Sequence, residues 1–408
     1  MELCIMGMGY IGIPTAVLFA KRGVKVTGVE PRASVVERLS KGIATIEEPG
    51  IEDAIRETVG NGSFTVSQTP VCADAYFIAV PTPFCDDEYK SCDLSIVLSA
   101  CRSILPYVKK GSVVIVESTI APTSTDLQIA PIFEEAGFTV GEDIFLAHCP
   151  ARVFPGQILY ELVHNNRVVG GVTPQCAKKA AEVYRAVVEG EIIETTAKVA
   201  EMSKCMENTY RDINIAIVNE LAKVCHTLDI DTLEVIRIAN MHPRVNMLTP
   251  GPGVGGHCLA IDPYFIYAKA PKQAKLIKLA RDINNSMPEF VCERVKELIG
   301  TAPATVAAYG VTFKANVDDI RESPAIEVIE LLEKEGYTVR ICDPHVKDDR
   351  YFGLYEAAEG ADLALMLVDH TEFKQMDYTR LAEKLHRKQL FDTRGFVPQV
   401  DGLVVKHY

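Results

Sequence analysis

The chain has 408 residues, 48% hydrophobic and 24% charged, with a formal net charge of −13. That length exceeds what one hydrophobic core supports, so two or three domains are expected. The acidic balance argues against a nucleic-acid partner, which needs clustered Lys and Arg, and no window nears the ~18 uninterrupted apolar residues of a membrane span.

In chain order, the first ~190 residues alternate short apolar runs with helical patterns, the mark of a parallel α/β sheet. Strands are expected at 3–6, 25–29, 75–80, 113–117 and 144–147, with apolar runs that suit strands covered on both faces. Met1-Glu2-Leu3-Cys4-Ile5 carries no basic leader pattern. Gly7-Met8-Gly9-Tyr10-Ile11-Gly12 follows the first strand and opens a helix, the context a G-x-G-x-x-G dinucleotide turn requires. Gly7 permits the turn, Gly9 lets backbone approach a pyrophosphate, and Gly12 lets helix and strand pack closely. The helix N-terminus offers N–H groups and partial positive charge to phosphates. Glu30, 18 residues after Gly12, ends the second strand. A carboxylate there bonds ribose hydroxyls and repels a 2′-phosphate, favouring NAD, although nearby Arg32 is a residue type that also holds such a phosphate.

From Ala197 to about Leu228 the sequence reads as one helix with no Pro or Gly. Val199, Met202, Met206, Ile213, Ile217, Leu221, Val224 and Leu228 recur at helical spacing. Lys204 and Asn208 lie one turn apart on one face and can donate to a developing oxyanion. A helix over 232–241, the Gly/Pro-rich stretch 250–258, and a helix over 273–283 follow. Glycines before Cys258 let backbone crowd a ligand. A helix over 259–268 would place Cys258 at its N-terminus, where a thiol has a lowered pKa, and Asp262, one turn on, is placed for proton transfer. After about Gly300 strands return at 306–309, 338–342, 362–367 and 389–391, with helices at 325–335 and 378–385 between them.

Lys, Asn, Cys and Asp behind a dinucleotide turn suggest a four-electron oxidation. A primary alcohol loses a hydride to NAD, and the Cys258 thiolate adds to the aldehyde. Loss of a second hydride leaves a thioester, and water releases the acid. Twelve cysteines without a C-x-x-C pair are read as reduced thiols in a cytoplasmic protein, not as disulfides or a zinc site, and no metal is expected.

With these motifs in view, the chain resembles the UDP-glucose/GDP-mannose dehydrogenase family over essentially its whole length. The motifs are Gly7–Gly12 with Tyr10, Val80-Pro81-Thr82-Pro83, Glu117-Ser118-Thr119, Ala200-Glu201-Met202-Ser203-Lys204 with Asn208 and Asn219-Glu220, and Gly255-Gly256-His257-Cys258 with Asp262. A C-terminal signature follows, Gly310 to Lys314 with Asp319, Arg321, Glu322, Ser323 and Pro324. The resemblance implies two Rossmann-like parallel-sheet domains joined by a long central helix and a small helical dimerisation domain. Residues 1–195 would bind NAD, 196–295 would dimerise and carry the catalytic Lys and Cys, and 296–408 would bind the UDP end of a nucleotide sugar. Cys258 would be the nucleophile, Lys204 and Asn208 would stabilise the oxyanion, Asp262 would serve proton transfer, and Thr119 would sit by the reacting carbon. Cofactor contacts would come from Gly7, Gly9, Tyr10, Ile11, Gly12, Glu30, Arg32, Pro81, Thr82, Thr119 and Arg321. Substrate contacts would come from Arg152, Val153, Phe154, Lys204, Asn208, Gly255, Cys258, Phe313, Lys314 and Arg394, with Arg244 reaching a neighbouring subunit's site in a homodimer.

Cys149-Pro150 with Arg152-Val153 and the Gly-Gly-His-Cys-Leu loop look most like the branch that oxidises UDP-N-acetylmannosamine at C6 for polysaccharide biosynthesis. The branches acting on UDP-N-acetylglucosamine and UDP-glucose are the alternatives. One departure stands out. The family pattern has Glu after Cys149-Pro150, where this chain has Ala151. Loss of a general base costs 10²–10⁴-fold in the step it serves. Either the chain is altered so that an intermediate is trapped on Cys258, or another group activates the water. Two further readings are a β-hydroxyacid dehydrogenase of the 6-phosphogluconate type, which needs no thiol, and a non-catalytic NAD-sensing module.

Overall fold

The computed structural model describes every residue except 154, 155 and 257. The expected substrate contact Phe154 and the loop residue His257 therefore lie outside the described residues. The chain divides into two compact units, Met1–Glu207 with Tyr264–Pro271, and Asn208–Pro263 with Lys272–Tyr408.

The first unit is built on eight strands: β1 Glu2–Met6, β2 Lys25–Val29, β3 Phe64–Ser67, β4 Ala75–Ile78, β5 Val113–Val116, β6 Phe145–His148, β7 Arg167–Gly171 and β8 Ile192–Thr196. Their order is β3-β2-β1-β4-β5-β6-β7-β8, parallel throughout except for the antiparallel pair β6 and β7. Between them run α1 Gly12–Lys21, α2 Ala33–Ser40, α3 Ile51–Gly60, α4 Ser95–Ile104, α5 Ala130–Glu135, α6 Ile158–His164 and α7 Pro174–Tyr184. Side chains along β4 alternate between two cores. Ala75 and Phe77 enter one, and Tyr76 and Ile78 the other, as the period of a strand dictates. Burying each such large side chain on both faces stabilises the unit by roughly 1.5–3 kcal/mol per residue.

α8 Ala197–Leu228 spans 32 residues, the range its uninterrupted pattern predicts. Burial divides it into two faces. Val199, Met202, Met206, Ile217, Val224 and Leu228 are exposed, whereas Ala200, Glu201, Cys205, Asn208, Asp212, Ala216 and Asn219 are buried. The inward face is small and polar, and the outward face is apolar.

The second unit contains α9 Thr232–Ala239, the start of α10 Asp262–Lys269, α11 Lys275–Asn285 and α12 Met287–Ile299. A second sheet follows, of β9 Thr305–Tyr309, β10 Thr338–Cys342, β11 Leu363–Met366, β12 Gln389–Asp392 and β13 Val404–Lys406. It has the order β10-β9-β11-β12-β13 and is parallel at every pairing. α13 Pro324–Lys334, α14 Thr371–Lys374 and α15 Tyr378–Lys384 cover it. Again the strands feed two cores, Val306 and Ala308 one, Ala307 and Tyr309 the other. Two parallel-sheet α/β regions and one long helix are thus the observed architecture.

Both sheets reverse their direction of growth once, between β1 and β4 and between β9 and β11. Ligands of such sheets bind outside the strand C-termini at that reversal. No helix among the described residues is long and apolar enough to cross a membrane.

Candidate functional site

At the first reversal, Gly7 follows β1 with φ +96°, and a Cβ there would lie 2.4 Å from the Ala79 carbonyl oxygen beyond β4. A Cβ on Gly12 would meet the Gly7 carbonyl oxygen at 1.9 Å, so the turn and the start of α1 close on each other. A Cβ on Gly9 would meet nothing within 4 Å, which leaves room for a pyrophosphate against this stretch of backbone. Tyr10 is exposed and Ile11 precedes α1 as its N-cap. Glu30 is buried beside the turn, where it accepts from the Met8 N–H at 3.3 Å. Arg32 donates to it at 2.6 Å through Nε. Burial raises the Glu30 carboxyl, but the Arg32 and Met8 hydrogen bonds and the Arg32 charge outweigh it and hold the group below its ordinary value. An ionised Glu30 that occupies Arg32 suits ribose hydroxyls better than an added phosphate, so these residues fit NAD.

The two loops beyond β4 and β5 are stitched together. Thr82 Oγ1 donates to the Thr119 carbonyl at 2.7 Å. Ser118 Oγ donates to the Val80 carbonyl at 2.7 Å and accepts from the Val80 N–H at 2.9 Å. Pro81 is exposed alongside. Glu117 is buried. Arg167 and Tyr184 donate to its Oε1 at 2.8 and 2.7 Å, and Thr15 of α1 to its Oε2 at 3.2 Å. This network is a further support of the site, with no role assigned by sequence reasoning. The signal for it is a carboxylate ending an apolar strand.

Lys204 is half-buried on α8. His148, at the end of β6, is fully buried with neither ring nitrogen bonded, and burial chiefly, with the Lys204 charge, pushes its pKa down to about 3. It is therefore neutral. Arg152 is paired with Glu207, Nη2 to Oε1 at 2.5 Å, and Ala151 and Val153 are half-buried beside it.

In the second unit one member of each expected i, i+4 pair meets the other: Asn208 Nδ2 donates to Asp262 Oδ2 at 2.6 Å, and both are buried. Cys258 is exposed. The helix after it starts later than expected, at Asp262 rather than 259. Cys258 instead sits in the turn that enters α10, with its carbonyl accepting from the Ile261 and Asp262 N–H groups at 3.1 and 2.9 Å. Pro263 falls in the first turn of this helix, where its missing N–H costs no intrahelical bond.

The glycine collar also packs closely on protein. A Cβ on Gly255 would lie 2.3 Å from the Glu322 carbonyl, and one on Gly256 (φ +77°) 2.8 Å from the Phe313 ring. The collar packs against the C-terminal signature. Its start is held by a buried polar chain, in which Asn219 Oδ1 accepts from Gly251 N–H (2.9 Å) and Asn219 Nδ2 donates to Asn284 Oδ1 (2.9 Å). Asn284 Nδ2 and Arg281 Nη1 then donate to Asp212 Oδ1 at 2.8 and 2.6 Å.

At the second reversal, Gly310 (φ +94°) is pressed on Val368, with a Cβ there only 2.4 Å away. The following turn presents half-buried Phe313 and exposed Lys314. Arg394, beyond β12, lies over Gly251 and 3.4 Å from Asp369. Arg321 is exposed and doubly bonded to Asp319, and Arg244 is exposed. His345, His370 and Glu372 also cluster. The Asn316 N–H donates to His370 Nδ1 at 2.9 Å, which leaves the proton on Nε2, 3.2 Å from Asp343. That ring has no spare lone pair for a metal.

The family models for UDP-glucose/GDP-mannose dehydrogenases match in three successive stretches: the NAD binding domain over residues 1–188, the central domain over 198–286 and the UDP binding domain over 307–399. A UDP-N-acetyl-D-mannosamine dehydrogenase of Methanococcus maripaludis is 43% identical over 406 residues, 97% of this chain and 93% of that protein. An NDP-N-acetyl-D-galactosaminuronic acid dehydrogenase of Ralstonia nicotianae is 41% identical over 96% of this chain and 95% of its own length. A solved UDP-N-acetyl-mannosamine dehydrogenase of Staphylococcus aureus is 50% identical with a TM-score of 0.94, covering 100% of this chain and 98% of that one.

Proposed function

Since the chain belongs to the UDP-glucose/GDP-mannose dehydrogenase family and is an NAD-dependent UDP-sugar dehydrogenase, we propose that it oxidises the C6 hydroxyl of UDP-N-acetyl-D-mannosamine to the carboxylate. The observation that carries the mechanism is the 2.6 Å hydrogen bond by which Asn208 of α8 holds Asp262, the residue that ends the cysteine turn. NAD supplies the hydride acceptor for both oxidations. Asp262 takes the alcohol proton through water. The Cys258 thiolate adds to the aldehyde carbon, and Lys204 and Asn208 donate to the alkoxide oxygen that results. Loss of the second hydride leaves a thioester on Cys258. Water attacks its carbonyl, and the C–S bond breaks to return the thiolate. Thr119 orients water at the reacting carbon. Phe313, Lys314 and Arg394 hold the nucleotide end, Arg321 the cofactor phosphates, and Arg152, Val153 and Gly255 the sugar, with Arg152 exchanging Glu207 for substrate. Arg244 reaches a second copy, paired through the exposed apolar face of α8. We place the chain in the cytoplasm, where its cysteines, none in a disulfide, stay reduced.

With no carboxylate at 151, hydrolysis is the slow step and a covalent adduct on Cys258 accumulates. Intact mass after mixing with NAD and UDP-N-acetyl-D-mannosamine is expected to show it. Rapid turnover without any mass gain would refute it. Ala151→Glu is expected to speed turnover by about 10²–10⁴-fold and to yield two NADH per acid. A panel of UDP- and GDP-sugars assayed with that variant tests the substrate, and preference for a galactosaminuronate precursor would favour the second kind of relative.

A further inference from the structure

We infer that Glu201 is a positioning residue for this reaction, its buried carboxylate fixing the loop that carries Thr119 to the turn of α8 that carries Lys204. The inference rests on the roles of Thr119 and Lys204 proposed above. Glu201 is fully buried. It accepts from the Thr123 N–H at 2.6 Å, the Thr125 N–H at 2.7 Å and the Thr125 hydroxyl at 2.6 Å. Both carboxylate oxygens are used, and every donor comes from the segment just past Thr119. Cys205 Sγ adds a second stitch, 3.6 Å from the Ile120 carbonyl.

The geometry has a cost that local capping would avoid. The N-terminus of the short helix Thr125–Ile129 needs an acceptor, and a neighbouring Ser or Asn could provide one. Here the acceptor comes from 76 residues away in sequence, and burial raises its carboxyl above the ordinary value despite the three bonds. Thr123, a β-branched residue, is held at φ +75°, where L side chains are strained and persist only when their surroundings over-determine them. The anchor lies three residues before Lys204 on the same helix. On the loop's other side Thr82 holds the Thr119 carbonyl. Thr119 is thus fixed between the β4 loop and the lysine-bearing turn.

Glu201→Gln keeps the shape but turns one acceptor into a donor facing N–H groups. Its kcat per folded site is expected to fall about 10- to 100-fold, since misplacing a reacting group by an ångström costs that much, while the Kd values for NADH and UDP stay within about threefold. Introduced into Thr119→Ala, Glu201→Gln is expected to add less than about threefold, because residues acting as one unit are non-additive. An unchanged kcat with only a lowered Tm would overturn the inference, and so would full multiplication of the two effects where Thr119→Ala alone is costly. A neutral Thr119→Ala would remove the assignment of Thr119 and the inference with it. Should Glu201→Gln not fold, Thr125→Ala removes one donor from the loop side and is read by the same cycle.

Discussion

Gly12 shows how a single position carries both fold and site. Its missing Cβ is what allows the Gly7 carbonyl to approach, since a methyl would lie 1.9 Å from that oxygen. Gly12→Ala is expected to cost about 1–3 kcal/mol by overpacking and to weaken NADH binding, as thermal melts and NADH fluorescence titration would show. Unchanged binding would mean that the turn does not hold the pyrophosphate. This residue and Glu30 are legible from sequence because their partners lie within one strand–turn–helix unit. The Asn208–Asp262 bond is not, since 54 residues separate the partners and spacing alone cannot bring two helices together. Nor is the work of Glu201, which the sequence places in a motif but whose partners lie 76 and 78 residues away. Only its burial and its three donors reveal it.

Among elements, the central strands of both sheets stand out in the sequence because each is apolar on both faces. β3, β8 and β13, at sheet edges, do not. They are short and partly exposed, with β8 reading Ile-Ile-Glu-Thr-Thr, and edge strands keep polar groups toward solvent. β7 ends in two glycines and runs against its neighbour β6, so neither propensity nor topology announces it. α8 is the reverse case. Its length is plain, but its apolar period marks a face that the chain itself leaves uncovered. An exposed set of Val, Met, Ile and Leu along one helix marks an interaction surface, which supports pairing with a second copy. Ile217→Asp is expected to convert dimers to monomers in sedimentation velocity. A dimer that persists at micromolar concentration would place the pairing elsewhere.

For the molecule as a whole, buried titratable groups set its response to acid. His148 is neutral when folded, with a pKa of about 3, and ordinary, about 6.5, when unfolded. Below pH ~6.5 the unfolded chain therefore binds a proton that the folded chain refuses. Stability contributed by this residue is complete above that pH and is lost progressively as pH falls toward 3, by up to ~1.4 kcal/mol per unit. In His148→Leu, urea unfolding measured across this window is expected to lose one proton's worth of slope. Parallel curves for parent and variant would refute the assignment.

The distribution of sulfur has a practical corollary. Eight of the twelve cysteines are buried, Cys85 and Cys92 are half-covered, and only Cys72 and Cys258 are exposed. Once Cys72 is replaced by serine, a bulky maleimide dye in brief contact with the native chain should attach at a single place, the entrance to α10. The residue proposed to hold the sugar would then carry a fluorophore, and its emission could report arrival of a nucleotide without any turnover at all.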